Sequence, residues 1–173
     1  MAVRCSLRTG EAMLPIRSAE EKMKSILAFD PGGTTGFAFI GYTDDTEAVI
    51  FESGQIPNGH RGFIEWWNDR VVYLPETAIV CESFTLREGV RGVNLEPCYV
   101  MGALEALYND KIFYQSPSYK SFCDNDALKE LGFYVRGQQH ARDAFRHAVA
   151  YLRTQERHKP TLLKGWPDRD LVE

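Results

Sequence analysis

The spacing of hydrophobic positions changes period several times along the chain, and each change marks an element. Residues 25–30, Ser-Ile-Leu-Ala-Phe-Asp, form a short apolar run that ends on a carboxylate, the pattern of a buried strand. Pro31, Gly32 and Gly33 follow, and the apolar run resumes over Thr35–Tyr42, so the two segments read as antiparallel strands across the Gly32-Gly33 turn. Ala48–Ile56 reads as a third strand. Over Gly59–Leu74 the period lengthens to that of a helix, with Phe63, Ile64, Trp67 and Val71 on its inner side. Ala78–Cys81 is a short buried strand ending at Glu82, and a polar loop, Ser83–Asn94, carries Arg87, Glu88 and Arg91. Leu95–Asn109 is helical, and its Gly102-Ala103 pair permits close packing. Ile112–Tyr114 is a strand. The segment "SPSYKSF" precedes a helix ending at Leu131, and "GFYVRGQQ" leads into a last helix, Gln139–Arg153.

Three antiparallel strands followed by alternating helix and strand predict an α/β fold, a mixed five-stranded sheet with helices on both faces. One domain is expected over residues 25–153. Residues 1–24 read as a flexible arm, with Met23 a natural start, and residues 154–173, with Pro160, Gly165 and Pro167, read as a tail.

The 173 residues, 44% hydrophobic and 25% charged, suit one soluble globular domain with a real core. No apolar run approaches the ~20 residues of a membrane span. Arg4, Arg8, Glu11, Arg17 and Glu20 interrupt any signal-peptide pattern. The four cysteines, Cys5, Cys81, Cys98 and Cys123, form no C-x-x-C pair, which argues against a zinc knuckle. Cys81 and Cys98 read as buried thiols, and a cytoplasmic location is expected. The net charge of −4 is unevenly spread: between Lys129 and Lys164, eight basic side chains face three acidic ones. The C-terminal third is therefore basic on an acidic body.

Two carboxylates, Asp30 and Glu82, end apolar strands. Such groups are costly unless solvated, paired or bound to a metal. The last helix adds His140 and Asp143, which share a face at i and i+3. Its apolar stripe is Ala141, Ala144, Phe145, Ala148, Val149, Tyr151 and Leu152. His140, Asp143 and His147 lie along one border, and Arg142, Arg146 and Arg153 lie along the other, facing solvent. His147 reads as a supporting residue rather than a ligand. By themselves His140 and Asp143 are better explained as a first-turn acid with a capping neighbour, stabilised by the helix dipole. Joined by Asp30 and Glu82, they offer three carboxylates and an imidazole, a set suited to Mg²⁺ or Mn²⁺. Two such ions ~3.5–4 Å apart can hold the attacking water and the leaving oxygen of a phosphodiester hydrolysis. The Gly32-Gly33 turn would leave room for metal or DNA to approach Asp30.

Four segments in order, "FDPGGTTG", "IVCESF", "SPSYKSF" and "HARDAFRHAVA", resemble the RuvC family of Holliday-junction resolvases, within the ribonuclease-H-like superfamily. The likeness covers roughly residues 24–153. It implies a metal-dependent endonuclease acting on four-way DNA junctions as a homodimer in the cytoplasm, with two Mg²⁺ or Mn²⁺ ions per site. The implied metal ligands are Asp30, Glu82, His140 and Asp143. His140 stands where many members have aspartate, a change that shifts metal preference towards Mn²⁺. Lys120 matches the basic residue near the scissile phosphate, where it would stabilise developing charge. The resemblance also assigns DNA contact to the loop after Glu82. Phe84 is the candidate aromatic wedge, Arg87 and Arg91 are candidate phosphate contacts, and Arg142 and Arg146 are further DNA-binding candidates. The long arm and short tail depart from compact bacterial members and suit a phage enzyme. Alternatives are a broader flap or fork nuclease, a branched-DNA-binding module without catalysis, and an actin-like ATP-binding protein. The last needs two lobes and a second phosphate loop, which this length does not supply.

Overall fold

Strand β1 (Lys24–Asp30) lies at the centre of the sheet in a computed structural model that describes residues 22–70, 77–85 and 92–167. Residues 1–21 of the expected N-terminal arm, and Val71, Arg87, Glu88 and Arg91, fall outside the described residues, while Lys24, assigned to the arm, already belongs to β1. β1 pairs antiparallel with β2 (Thr35–Tyr42), which pairs antiparallel with β3 (Val49–Ile56). On its other side β1 pairs parallel with β4 (Thr77–Glu82), which pairs parallel with β5 (Ile112–Gln115). The order is β3-β2-β1-β4-β5. The fold is thus the α/β class with the mixed five-stranded sheet that the hydrophobic pattern predicts.

Alternation along the strands sorts the core into two layers. Ile26, Ala28, Ala38, Ile40 and Val80 face one side, where they pack with α3 (Asn125–Leu131), α4 (Gln139–Tyr151) and α5 (Lys159–Gly165). Phe29, Phe37, Ile79 and Cys81 face the other side, against α1 (Gly59–Asp69) and α2 (Glu96–Tyr108). Ile64, expected inside, is 43% exposed. Trp66 turns inward in its place and meets the rings of Phe29, Phe37 and Phe63, because an indole among three rings buries more apolar area than an isoleucine. Cys81 is buried as expected, whereas Cys98 is only partly so.

The expected C-terminal tail is instead part of the core. After α4 the chain makes a π turn (Leu152–Glu156), reverses at Arg157 (φ 49°) and forms α5. Leu162 and Trp166 are buried. His158 Nε2 donates to the Thr43 carbonyl at 2.7 Å, and Thr161 Oγ1 accepts from the Ala48 amide at 2.8 Å. These bonds tie α5 to the β2–β3 connection. Among the described residues no helix is long and apolar enough to cross a membrane.

Candidate active site

Strand parity and register bring the site together. Asp30 continues the Ile26–Ala28 face of β1, and Glu82 continues the Val80 face of β4, so both carboxylates look towards α4. The parallel register ends at Phe29 beside Cys81, which sets Asp30 next to Glu82. Glu82 pairs with Gln115, Asp30 with Gly36, and Gly36 with Gln55. One row, Gln55–Gly36–Asp30–Glu82–Gln115, therefore crosses all five strands. The first turns of α4 lie directly on it. A Cβ at Gly36 would stand 1.9 Å from the His140 carbonyl oxygen, so only glycine permits this approach. The His140 amide donates to Gln55 Oε1 at 3.0 Å.

Side chains of α4 then reach the acids. His140 Nδ1 lies 2.7 Å from Asp30 Oδ2, and His147 Nε2 lies 2.7 Å from Glu82 Oε2. Arg146 Nη1 donates to Asp143 Oδ1. His147 is fully buried, and its Nδ1 meets Gln115 Oε1 at 2.8 Å. Lys120 comes from a 3₁₀ turn, Pro117–Phe122, whose start is capped by Ser116. Its Nζ is 2.6 Å from Glu82 Oε2, 3.4 Å from Asp30 Oδ1 and 3.6 Å from Asp143 Oδ2. Three carboxylates from two strands and a helix thus meet on one ammonium.

The electrostatics follow from burial. Asp30, whose side chain is 8% exposed, has its pKa pushed above the ordinary carboxylate value by desolvation, against the pull of Lys120 and His140. Glu82 is less buried. Desolvation pushes its carboxyl up too, but bonds from His147 and Lys120 outweigh that and hold it below the ordinary value. Burial alone would lower Lys120. The Glu82 hydrogen bond and the fields of Asp30, Glu82 and Asp143 reverse this and raise it.

Five sequence candidates, Asp30, Glu82, His140, Asp143 and Lys120, are in one place. Gln55 and Gln115 complete the row without having been singled out. Phe84 lies two residues beyond Glu82, partly buried. Arg142 donates to the Val135 carbonyl and sits over the Tyr134 ring. Arg146 does not face solvent as expected. Its side chain is 14% exposed and bonded to Asp143, the Cys123 carbonyl and Asn125. The 3₁₀ turn and α3 roof that border of α4, and these acceptors occupy the guanidinium.

Among the described residues no group of three or more His, Cys, Asp or Glu is already arranged to hold a metal ion; the acids are arranged around Lys120. The donor set nonetheless suits a hard divalent cation. Asp30, Glu82 and Asp143 each have one oxygen anchored by an α4 donor. All three also lie within 3.6 Å of a single positive charge. His140, 44% exposed, bonds Asp30 through Nδ1 and keeps Nε2 for another partner, an arrangement common among metal-ligating histidines.

No protein-family model matches the chain, and no curated protein matches it. In three dimensions it is similar to RuvC of Thermus thermophilus in complex with Holliday junction substrate. The TM-score is 0.53 at 14% identity, covering 76% of this chain and 96% of that one. A second Thermus thermophilus RuvC structure gives 0.53 at 13% identity, over 73% and 92%. The fold is ribonuclease-H-like. The likeness covers nearly the whole of each RuvC chain and about three-quarters of this one.

Proposed function

We propose that the protein is a divalent-metal-dependent DNA endonuclease that nicks branched DNA, with the four-way junction as its principal substrate. The observation that carries this is the meeting of Asp30, Glu82 and Asp143, with His140 beside them, on the ammonium of Lys120. An ionised cluster of this kind at strand ends costs stability, which function explains and fold maintenance does not. The fold it shares with a resolvase solved on its Holliday junction supports the choice of substrate.

Asp30, Glu82, Asp143 and His140 Nε2 would hold Mg²⁺ or Mn²⁺, in two ions. Bound there, the metal would polarise the phosphate and activate water. Lys120 places positive charge where negative charge develops on the attacked phosphate. His147 and Gln115 hold Glu82, and Gln55 holds the start of α4. The products of one-step hydrolysis are a 5′-phosphate and a 3′-hydroxyl. Paired nicks across a symmetric junction call for a homodimer, and the reading places the enzyme in the cytoplasm.

The test is incubation of purified protein with a synthetic four-way junction, a flap, a fork and a linear duplex, with and without Mg²⁺ or Mn²⁺. Metal-dependent cleavage of the junction in preference to the duplex, lost in Asp30→Asn, is the expected result. Equal cutting of flap and fork would broaden the substrate class. A fully active Asp30→Asn variant would refute the ligand assignment.

A further inference from the structure

Behind the active site lies a second feature that the catalytic reading does not use. The 3₁₀ turn that sends Lys120 into the carboxylates has a far side. Ser118, Ser121 and Phe122 there, with Arg153 and Thr154 of the π turn after α4, line a depression of about 250 Å³. Arg153 is the charged residue of that lining. Its guanidinium lies 3.9 Å from the Phe122 ring centre, and Phe122 packs in turn on Trp166 at 4.4 Å. Among the described residues no acid pairs with Arg153, a state it shares with other basic side chains such as Arg142 and Arg157; what distinguishes it is its stacking on Phe122 at the depression. The hydroxyls of Ser121 and Thr154 already donate to the carbonyls of Ser118 and Ala150. The charged donor left facing the depression is therefore the guanidinium, with the Tyr119 hydroxyl beside it.

We infer that this depression is a subsite for a backbone phosphate of the DNA strand, with Arg153 as its anion-binding group. The inference rests on the proposed function. Stacked on Phe122, the guanidinium is held in place before any ligand arrives, so little rotamer entropy is left to lose on binding. Its planar fork matches a phosphodiester. The π turn that carries it is a rare distortion found frequently at functional sites. The same six-residue turn forms both the lip of the depression and the base of Lys120, so the proposed subsite lies one turn of backbone away from the group placed at the scissile phosphate. The contact reads no base and is indifferent to sequence.

The experiment measures the dissociation constant of the full-length protein for a four-way junction and a linear duplex over a range of NaCl concentrations in EDTA. Wild type is compared with Arg153→Gln and Arg153→Lys. Losing one phosphate contact should make the slope of log K against log salt shallower by about 0.9. Arg153→Gln should show that change on both DNAs, with severalfold weaker binding, and Arg153→Lys should restore the slope. Melting curves identify any misfolded variant, and Arg153→Lys then serves as the folded comparison. An Arg153→Gln protein with the wild-type slope and a dissociation constant within twofold of wild type overturns this inference and leaves the nuclease reading intact. A wild-type protein that binds neither DNA overturns both.

Discussion

His147 and Glu82 meet at 2.7 Å on the sheet side of α4, and the imidazole has no exposed surface. Its other nitrogen is fixed by Gln115 at 2.8 Å, so the ring cannot turn away and Glu82 Oε2 is held in one place. Partners of this kind behind a ligand typically cost 10–100-fold in affinity or activity when removed. His147→Leu should therefore lower single-turnover junction cleavage by about that factor and raise the Mn²⁺ concentration needed for half-maximal rate, while junction binding in EDTA is kept. Gln115→Met should do the same more mildly. Folded variants with wild-type Mn²⁺ dependence would show that Glu82 needs no such support.

Much of this arrangement was legible in the residues. Asp30 and Glu82 follow from their places at the ends of apolar strands, and His140 with Asp143 from the i, i+3 spacing on α4. Lys120 came only through the family likeness, because its reach depends on a 3₁₀ turn that no periodicity marks. Gln55 and Gln115 were missed, since a lone amide at a strand end has no signature. Arg146 was misplaced because the period of one helix says which residues border the apolar stripe, not what covers that border. Pro160 and Gly165 suggested a tail, yet proline in the first turn and glycine at the end are also the marks of a helix, and Leu162 and Trp166 supply its buried face.

Asp30 should cost the fold some stability in its charged form. Burial raises its pKa above the ordinary 3.8. A group raised on folding contributes stability fully present below its unfolded pKa and lost as pH rises through the folded one. Asp30→Asn removes that loss. In EDTA at pH 7 the variant should melt above wild type, and the gap should close as pH falls through the raised pKa of Asp30 and below its ordinary 3.8, where the wild-type carboxyl is protonated in both states. A gap that widens on acidification would contradict the direction assigned to Asp30.

Lys120 and divalent metal should compete for the same acids. Lys120→Met leaves Asp30, Glu82 and Asp143 without their common cation, and partly buried carboxylates so exposed to one another should cost on the order of 1–3 kcal/mol in urea unfolding. Ligands that bind only the folded state raise its stability by mass action. Mn²⁺ should therefore raise the melting temperature of Lys120→Met more than that of wild type, even though cleavage is lost. Equal shifts in the two proteins would mean that the ammonium and the metal do not share a place.

Gly36 and Gly33 separate the structural from the functional use of glycine around Asp30. Neither has positive φ among the described residues, nor does Gly32, so the turn does not require them for its backbone angles. At Gly36 a methyl group would collide with the His140 backbone at 1.9 Å, and neither side can yield without moving α4 off the row. Gly36→Ala should cost on the order of 3 kcal/mol, read as a lowered urea midpoint. At Gly33 the nearest atom to an added Cβ is Asn94 Nδ2 at 3.7 Å, an ordinary contact, so Gly33→Ala should leave stability within about 0.5 kcal/mol. If open space there admits a DNA strand to Asp30, Gly33→Ala should weaken junction binding while its urea midpoint stays put. Wild-type junction affinity in Gly33→Ala would place the strand elsewhere.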